Sequence, residues 1–520
     1  HNGNTKLATT SSGVDVTGSV TADGITNAGG FSTITGSTGA SNQASINSGT
    51  TTGENLYVAN THTFLNGAGS TQLTLTGTDS TFAGKINGVG ILADTTNFSN
   101  SILISQDAST GTLSSASDNT GLGTSVFDDL TSGTRNTAVG SGAFDVLTTG
   151  SQNVAIGRNA GGSLTTGDDS VFLGERSGLS TTTASDNTAV GQASLLTNTT
   201  GANNTALGSG TLQANTTASN NTAVGYQSAD ANTTGENNAS LGASSLGANT
   251  TGSSNTAIGM NALRDNTTAS NNTAVGLNSL LVNTTGTENV AVGANVLDAN
   301  TTGNRNTSIG YLSLGANTTA GNNTALGYAA LNVNTTGDEN TGLGSGALVS
   351  NTTGSDNTAV GRSALAANTT GSSNVAVGTR ALDAATTASN NVAIGDNTLG
   401  AVTTGNVNVA LGNSAMVTNT VGDRNVAVGH QALKTYNPDS NEDSYNIAIG
   451  YNALFANTTG KQNVAIGGLA LDANTTADNN VAVGYNSLSA NTTGGANTAI
   501  GAGAGDAITT GGNNVAIGND

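Results

Sequence analysis

Few residues in this sequence could support catalysis. The 520-residue chain has three histidines, His1, His62 and His430, and no cysteine. A Ser-His-Asp triad would need His62 or His430, and neither lies in a recognisable catalytic motif. A carboxylate pair of the kind that hydrolyses glycosides is compatible with the 32 acidic residues, but these occupy variable positions, as solvated surface charges do. We therefore expect that the protein is not an enzyme.

The sequence also lacks the usual signals for phosphate, metal or nucleic-acid binding. Its glycine-rich segments are not followed by the lysine of a phosphate-binding loop, and they lack the spacing of calcium-binding nonapeptide repeats. The net charge is −20, and the 12 Lys and Arg residues are scattered, whereas nucleic-acid binders usually cluster theirs. We expect no cofactor, no metal and no nucleic-acid partner.

Residues suited to recognition are concentrated in one irregular segment. Residues 434–445 contain the only proline of the chain and two tyrosines. Loops on a rigid scaffold often carry binding residues, and tyrosine is frequent in binding sites. The candidate receptor-binding residues are those of the segment and its surroundings: His430, Tyr436, Tyr445, Tyr451 and Phe455. A neutral insertion is the alternative interpretation.

These candidate residues lie within a region of sequence repeats, whose structure determines their positions. The motif N-[T/V]-A-[V/I/L]-G ends in a glycine that recurs every 17 residues from Gly123 to Gly429, jumps by 21 to Gly450 and then recurs every 17 to Gly518. This gives 24 repeats, and the jump places four extra residues around 434–445. A fixed period of this kind is typical of solenoids.

Each position of the repeat has its own composition. Val, Ile or Leu stands directly before the conserved glycine in all 24 copies, and Thr, Val or Ile stands three before it in 23. The residue two before is small except at Phe172, and the residue four before is Asn in 23 copies. Leu, Met or Phe stands four after the glycine in 19 of 23 copies. The residues expected to maintain the structure include Asn221, Val224, Gly225, Asn255, Ile258, Gly259 and Leu263.

The pattern predicts an all-β, parallel β-solenoid, or β-roll, of 24 coils spaced ~4.8 Å apart. A β-branched, a small and an aliphatic residue in succession predict a short strand, which the glycine ends. The Ala-Leu or Ser-Leu pair that follows predicts a second strand. The N-T-T-G segment, such as residues 232–235, predicts a corner with Asn and Gly in left-handed conformations.

The Asn residues four before the glycine predict a ladder of amide hydrogen bonds along the solenoid axis. A functional Asn array, such as an ice- or carbohydrate-binding face, is the alternative. The position directly after the glycine holds Tyr in some copies and Arg, Asp or Gln in others, which predicts that it faces solvent.

Residues 1–118 lack the 17-residue period. Alternating segments at 72–76 and 102–104 predict short strands, and Gly- and Ser-rich stretches such as 29–53 separate them. We expect an irregular β-rich fibre segment over residues 1–118 and a solenoid repeat domain over residues 119–520.

The repeats resemble the head repeats of trimeric autotransporter adhesins, whose N-x-[V/A]-A-I-G-x-x-A pattern is matched by residues 153–157 and Ala160. The longer form N-T-A-V-G-x-x-A-L-x-x-N-T-T-G is similar to repeats of bacteriophage tail fibres, and residues 4–24 resemble a stretch found in tail fibres of marine phages. The resemblance covers residues 119–518 and implies a β-roll of which three chains pack side by side. The period of 17 departs from the shorter period of the adhesin heads.

A homotrimer is also expected from the strands, because they carry apolar or small residues on both faces and one coil can bury only one face. The resemblance implies a phage tail fibre in the virion that extends and presents a recognition element. Its partners would be a host cell-surface receptor or glycan and the virion tail or baseplate. A bacterial trimeric adhesin on the cell surface and a purely structural extracellular filament are the alternatives.

Overall fold

The structure is a computed structural model that describes residues 89–105 and 110–519, together with the strand backbones between Leu7 and Ile86. Two compact units make up the chain, His1–Thr149 and Gly150–Asp520. The described residues form strands, turns and bends and contain no helix. The expected Gly- and Ser-rich stretch 29–53 lies mostly outside the described residues. The expected domain boundary at residue 118 stays a prediction, and the division between the two units falls within the repeat sequence.

The first unit combines antiparallel sheets with the first repeats. Strands β1 and β2 pair antiparallel, β3 to β7 form a five-stranded antiparallel sheet, and β10 pairs antiparallel with β9 but parallel with β12. The strands predicted at 72–76 and 102–104 are confirmed as parts of β6 and β10. The bounds are β1 Leu7–Thr10, β2 Gly13–Val16, β3 Gln43–Asn47, β4 Gly53–Val58, β5 Thr61–Asn66, β6 Thr71–Thr76, β7 Asp79–Thr81, β8 Lys85–Ile86, β9 Val89–Thr95, β10 Phe98–Ser105, β11 Ala116–Ser117, β12 Thr120–Leu122 and β13 Thr137–Val139.

The second unit is a parallel β-solenoid, as the period predicts. Each coil contributes one three-residue strand, and each strand pairs in parallel and in register with the next coil, so that Ala257 lies beside Ala274. At one strand spacing per coil, the 22 strands of this unit extend over about 100 Å. They are β14 Val154–Ile156, β15 Val171–Leu173, β16 Thr188–Val190, β17 Thr205–Leu207, β18 Thr222–Val224, β19 Ala239–Leu241, β20 Thr256–Ile258, β21 Thr273–Val275, β22 Val290–Val292, β23 Thr307–Ile309, β24 Thr324–Leu326, β25 Thr341–Leu343, β26 Thr358–Val360, β27 Val375–Val377, β28 Val392–Ile394, β29 Val409–Leu411, β30 Val426–Val428, β31 Ile447–Ile449, β32 Val464–Ile466, β33 Val481–Val483, β34 Thr498–Ile500 and β35 Val515–Ile517.

The middle residue of each solenoid strand faces the core, and it is small except at Phe172. Ala257 is fully buried, whereas Thr256 and Ile258 on either side of it point outward and are partly exposed. Side chains alternate across a strand, so the sequence correctly places the first and third residues on one face. The interior of the coil is too thin for larger side chains there, because Leu263 from the same coil already fills it.

The second strand expected at the Ala-Leu pair is wrong. The residues four after the glycine, which we call the leucine column, adopt a left-handed conformation, with φ of 50° at Leu263. This stretch is a turn, yet its backbone still bonds to the next coil, as Leu246 N–H donates to Ala262 O at 2.9 Å. The turn brings the Leu side chain into the core. In a second extended strand, by contrast, neighbouring side chains would alternate between the core and the outside.

The conformation expected for the N-T-T-G corner is also wrong. Neither Asn232 nor Gly235 has a positive φ, and the left-handed residue is Asn237, two positions later. A Cβ on Gly235 would lie 2.6 Å from the Asn232 Oδ1 atom and 2.9 Å from Asn249 Nδ2. Ala218 and Ala269 occupy the same position in other coils, so the position selects a small residue that lets the amide side chains of two coils approach the backbone.

The conserved glycine ends the strand for two reasons. Its φ lies between +124° and +146° in all 24 copies, a range that disfavours any residue with a side chain. A Cβ on Gly259 would also lie 2.5 Å from the carbonyl oxygen of Gly276 in the next coil. Glycine is thus required for its own conformation in each coil and, in coils such as that of Gly259, for the approach of the next coil as well.

Two columns of buried asparagine connect the coils. In the first Asn column, four before the glycine, the backbone N–H of Asn255 donates to Asn238 Oδ1 at 2.9 Å, and Asn255 Nδ2 donates to Ala269 O at 2.9 Å. In the second Asn column, seven after the glycine, Asn266 Nδ2 donates to Asn249 Oδ1 at 2.8 Å. The predicted ladder is confirmed. An Asn array that binds ice or carbohydrate is excluded for these columns, because their side chains are buried.

Candidate functional site

One surface of the solenoid is uniform along its length: the outer strand face, made of the residues three and one before each conserved glycine. These residues are half-buried or exposed in every coil from β14 to β35. Ile258 is 38% exposed and Leu241 49%. None of these positions carries a charge. The face is therefore an uncharged, largely aliphatic stripe that a single chain leaves in water.

The outer strand face changes composition along the chain. From Thr188 to Thr358, the residue three before the glycine is Thr in most coils. From Val375 to Val481 it is aliphatic in seven consecutive coils, with Ile447 as the only residue other than Val. Val has a methyl group where Thr has its hydroxyl, so the face is most apolar over these seven coils.

One side of the outer strand face is bordered by the ring column, the position directly after the conserved glycine. As predicted, it is exposed: Tyr226 and Tyr328 are both 60% accessible. Rings from adjacent coils stack, with centroids 6.0 Å apart for Tyr311 and Tyr328 and 5.6 Å for His430 and Tyr451. The stacking follows from the repeat, which places equivalent residues one strand spacing apart.

The other side is bordered by the edge column, five before the conserved glycine, where residues adopt left-handed conformations. It contains acidic and basic residues, and those in adjacent coils pair, as Arg305 Nε and Glu288 Oε2 do at 2.9 Å. Tyr445 is the only aromatic residue of this column. It is 48% exposed, and the Arg424 guanidinium lies 6.0 Å from its ring centroid.

Tyr436 does not lie on the surface, and its proposed direct contact with a receptor is wrong. It occupies the second Asn column, seven after Gly429, and it is fully buried. Its hydroxyl donates to Ser444 Oγ, and burial raises the pKa of the phenol to about 12. The residue replaces a ladder amide with a ring, so its role is to fill the core of the enlarged coil.

The four extra residues do not form a loosely projecting loop. Asp443 is ion-paired with Arg424 of the preceding coil, and Glu442 is ion-paired with Lys461 of the following coil. The segment also accepts a hydrogen bond from Thr420 Oγ1 to Asn437 Oδ1 at 2.6 Å. The insertion is therefore held against the coils on both of its sides.

The candidate receptor-binding residues do not form one site. His430 and Tyr451 lie together in the ring column, whereas Tyr445 lies in the edge column at the opposite end of the strand. Phe455 belongs to neither border column, because it directly follows the leucine column, five after the conserved glycine. It is half-buried, and Lys434 Nζ lies 5.1 Å from its ring centroid. The structure brings together only the His430–Tyr451 pair.

Sequence reasoning missed two features for which the sequence contained a signal. The leucine column contains no Val, Ile or Thr in any copy, and this absence is typical of positions with positive φ. The second Asn column is continuous from Asn198 to Asn368 and is interrupted by Ala385, Val402 and Tyr436. Reading this column would have placed Tyr436 in the core.

The described residues contain no cluster of His, Cys, Asp and Glu that could hold a metal ion. No helix in the part of the chain that the structure describes is long and apolar enough to cross a membrane. A comparison with family models, curated proteins and solved structures found no match. The surfaces of the solenoid are therefore the features that can indicate a function.

Proposed function

We propose that this chain is a structural and adhesive fibre that assembles as a homotrimer through the outer strand face. The supporting observation is the aliphatic stripe that runs through every coil from β14 to β35. Soluble monomers rarely expose a continuous apolar surface of this extent. A stiff parallel solenoid with one such face is suited to extending a particle or a cell surface.

A second copy of the chain matches this face better than an unrelated partner does. The stripe repeats once per coil, and only a partner with the same period contacts it in the same way along its length. Each chain carries a net charge of −20, so copies repel one another. The uncharged outer strand face is where they approach at the lowest electrostatic cost. The number three follows from the resemblance of the repeats to trimeric adhesin heads.

Sedimentation velocity of the full chain tests the assembly. We expect a mass near three times 50.4 kDa, or about 151 kDa. Replacing Ile394 and Ile466 with Asp should give a monomer with an unchanged circular dichroism spectrum, because the charges would be buried between copies. Thr387→Asp, at an exposed position away from the face, is the control. A wild-type chain that sediments as a monomer would exclude the trimer.

We assign recognition to the ring column, because its stacked and exposed rings are unlike the rest of the polar surface. The proposed partners are a host cell-surface receptor or glycan at this column and the tail or baseplate of a virion. The proposed location is the virion, with a bacterial cell surface as the alternative. A bacterial adhesin and a receptor-free filament use the same scaffold.

Attachment of the assembled fibre to cells tests recognition. Tyr311→Ala with Tyr328→Ala should weaken attachment if the rings contact the receptor, and deletion of residues 438–441 tests the insertion in the same assay. Phe455→Ala tests the remaining candidate. Attachment that all three variants leave unchanged would exclude these rings and the insertion from recognition, and a wild-type fibre that does not attach would favour the receptor-free filament.

A further inference from the structure

In a fibre built from near-identical coils, neighbouring copies of the chain can align in several registers. The outer strand face presents the same pair of outward residues at every coil from β14 to β35. A neighbouring copy shifted by one coil, about 4.8 Å, would bury almost the same surface. An interface of this kind needs a feature that breaks the repetition if it is to have one alignment.

The enlarged coil is the feature that breaks it. The four extra residues lie between β30 and β31, which are the fourth and fifth of the seven coils with an entirely aliphatic outer strand face. The interruption of the period thus falls in the middle of the most apolar part of the stripe. No other coil in the repeat has a length other than 17.

At this coil both borders of the face carry rings. Tyr445 is the only aromatic residue of the edge column, and His430 and Tyr451 form a stack in the ring column. Arg424 lies over the Tyr445 ring and is held there by its ion pair with Asp443 from the insertion. Tyr445 Oη also donates to Asp443 Oδ2 at 2.9 Å. The insertion therefore fixes the position of Tyr445 at the border.

Rotational symmetry would bring these two borders together. When parallel chains surround an axis with their outer strand faces inward, the edge column of one copy lies beside the ring column of the next. In register, Tyr445 of one chain meets Tyr451 of its neighbour. A shift of one coil in one direction places Tyr445 opposite Gly468, which has no side chain, and a shift in the other direction places it opposite His430, at the end of the stack and next to Asn413.

We infer that the enlarged coil sets the alignment of the copies, with Tyr445 of one chain packing on the His430–Tyr451 stack of the next. This inference rests on the proposed homo-oligomer. It assigns these three rings to contacts between copies, and it leaves recognition to those parts of the other rings that the neighbouring edge column does not cover.

Disulfide trapping can measure the register, because the chain has no cysteine of its own. Chains with Ser373→Cys, in the edge column, are co-expressed with differently tagged chains that carry a cysteine in the ring column. Thr379→Cys reports the same coil, while Arg362→Cys and Asp396→Cys report shifts of one coil either way. We expect the same-coil pair to cross-link about tenfold more than either shifted pair.

Two variants test whether the enlarged coil causes this preference. Tyr445→Ala removes the ring, and Tyr436→Asn with deletion of residues 438–441 restores a 17-residue coil with a ladder amide. In both, the ratio of same-coil to shifted cross-links should fall towards one. Val407→Ala, an exposed residue of the edge column, is the matched control and should leave the ratio unchanged.

The outcomes separate the two proposals. An unchanged ratio in both variants would overturn the register role, as would an oligomer of the expected mass that lacks the same-coil cross-link. A chain that sediments as a monomer would instead remove the proposed oligomer, and the register role with it. Circular dichroism of each variant shows whether the solenoid is retained.

Discussion

At the residue scale, the buried amides distinguish this core from an ordinary hydrophobic one. An Asn of the second column uses its Nδ2 for the preceding coil and for a carbonyl of its own coil, and its Oδ1 for the following coil, as Asn266 does. The ladder ends where the column changes, and Asn368 Oδ1 has no partner because Ala385 follows it. An amide in the interior of the ladder therefore contributes more to stability than an amide at the end of the ladder.

We predict that Asn266→Ala destabilises the solenoid more than Asn368→Ala does. The first substitution leaves Asn249 Oδ1 without its donor and removes the acceptor of Asn283, which costs about 1–3 kcal/mol. The second removes no acceptor from the following coil. Urea unfolding of each variant measures the difference, with Thr268→Ala, an exposed residue, as the control. Equal losses for the two Asn variants would contradict the ladder argument.

Tyr436 predicts a specific alkaline transition. Burial raises the pKa of its phenol from 10.0 to about 12, so the folded chain disfavours the phenolate. The stability that this provides is complete below pH 10 and is lost as the pH rises towards 12, because the unfolded chain ionises first. A two-unit shift corresponds to about 3 kcal/mol at most. Between these pH values, the free energy of unfolding should fall more steeply with pH in the wild type than in Tyr436→Phe. Identical slopes would refute the effect.

At the element scale, the side chains of one coil share a fixed interior volume, so a larger residue at one position requires a smaller one at another. In the coil that follows Gly157, the small strand residue is replaced by Phe172, which is fully buried. The leucine column four after the next glycine then holds Gly178, and a Cβ on Gly178 would overlap the Phe172 ring. A large residue in the strand is thus compensated by a glycine in the turn.

This compensation predicts non-additive effects of substitution. Phe172→Ala alone leaves a cavity and should cost about 3–5 kcal/mol, and Gly178→Leu alone should be worse because the ring blocks the site. The double variant recreates the Ala and Leu of the other coils and should recover most of the loss. A double-mutant cycle by denaturant unfolding measures the coupling. Additive losses would show that the two positions do not share one volume.

At the scale of the whole molecule, charge and apolar surface oppose each other. Net charge of −20 per chain keeps copies apart, while the outer strand face draws them together. Charged residues lie in the border columns, where adjacent coils form pairs such as Arg305 with Glu288, and also outside these columns, as Asp230 and Lys461 do. Stacking in register places equivalent residues of adjacent coils one strand spacing apart, which disfavours like charges next to each other in one column.

Association of the copies should therefore strengthen with salt. Raising NaCl from about 20 mM to about 300 mM shortens the screening length severalfold and reduces repulsion between chains. The dissociation constant from sedimentation equilibrium should fall over this range. A constant that rises with salt would indicate that ion pairs across the interface, and not the aliphatic stripe, hold the oligomer.

The sequence alone determined the period, the number of coils, their parallel stacking and the Asn ladder. These follow from the sequence because each position is repeated 24 times, so a local preference that is weak in one copy becomes a clear column. The exposure of the ring column was predictable for the same reason. The insertion was visible as a break in the period.

Only the tertiary structure decided which face of the strand is inside. Alternation shows that Thr256 and Ile258 share a face, but the available volume of a thin coil places Ala257 in the core and the larger residues in solvent. The same limit forces Leu263 into a left-handed turn and draws Tyr436 inward. These outcomes depend on how residues that are far apart in the sequence of a coil fill one shared interior. A local sequence pattern does not reveal the volume of that interior.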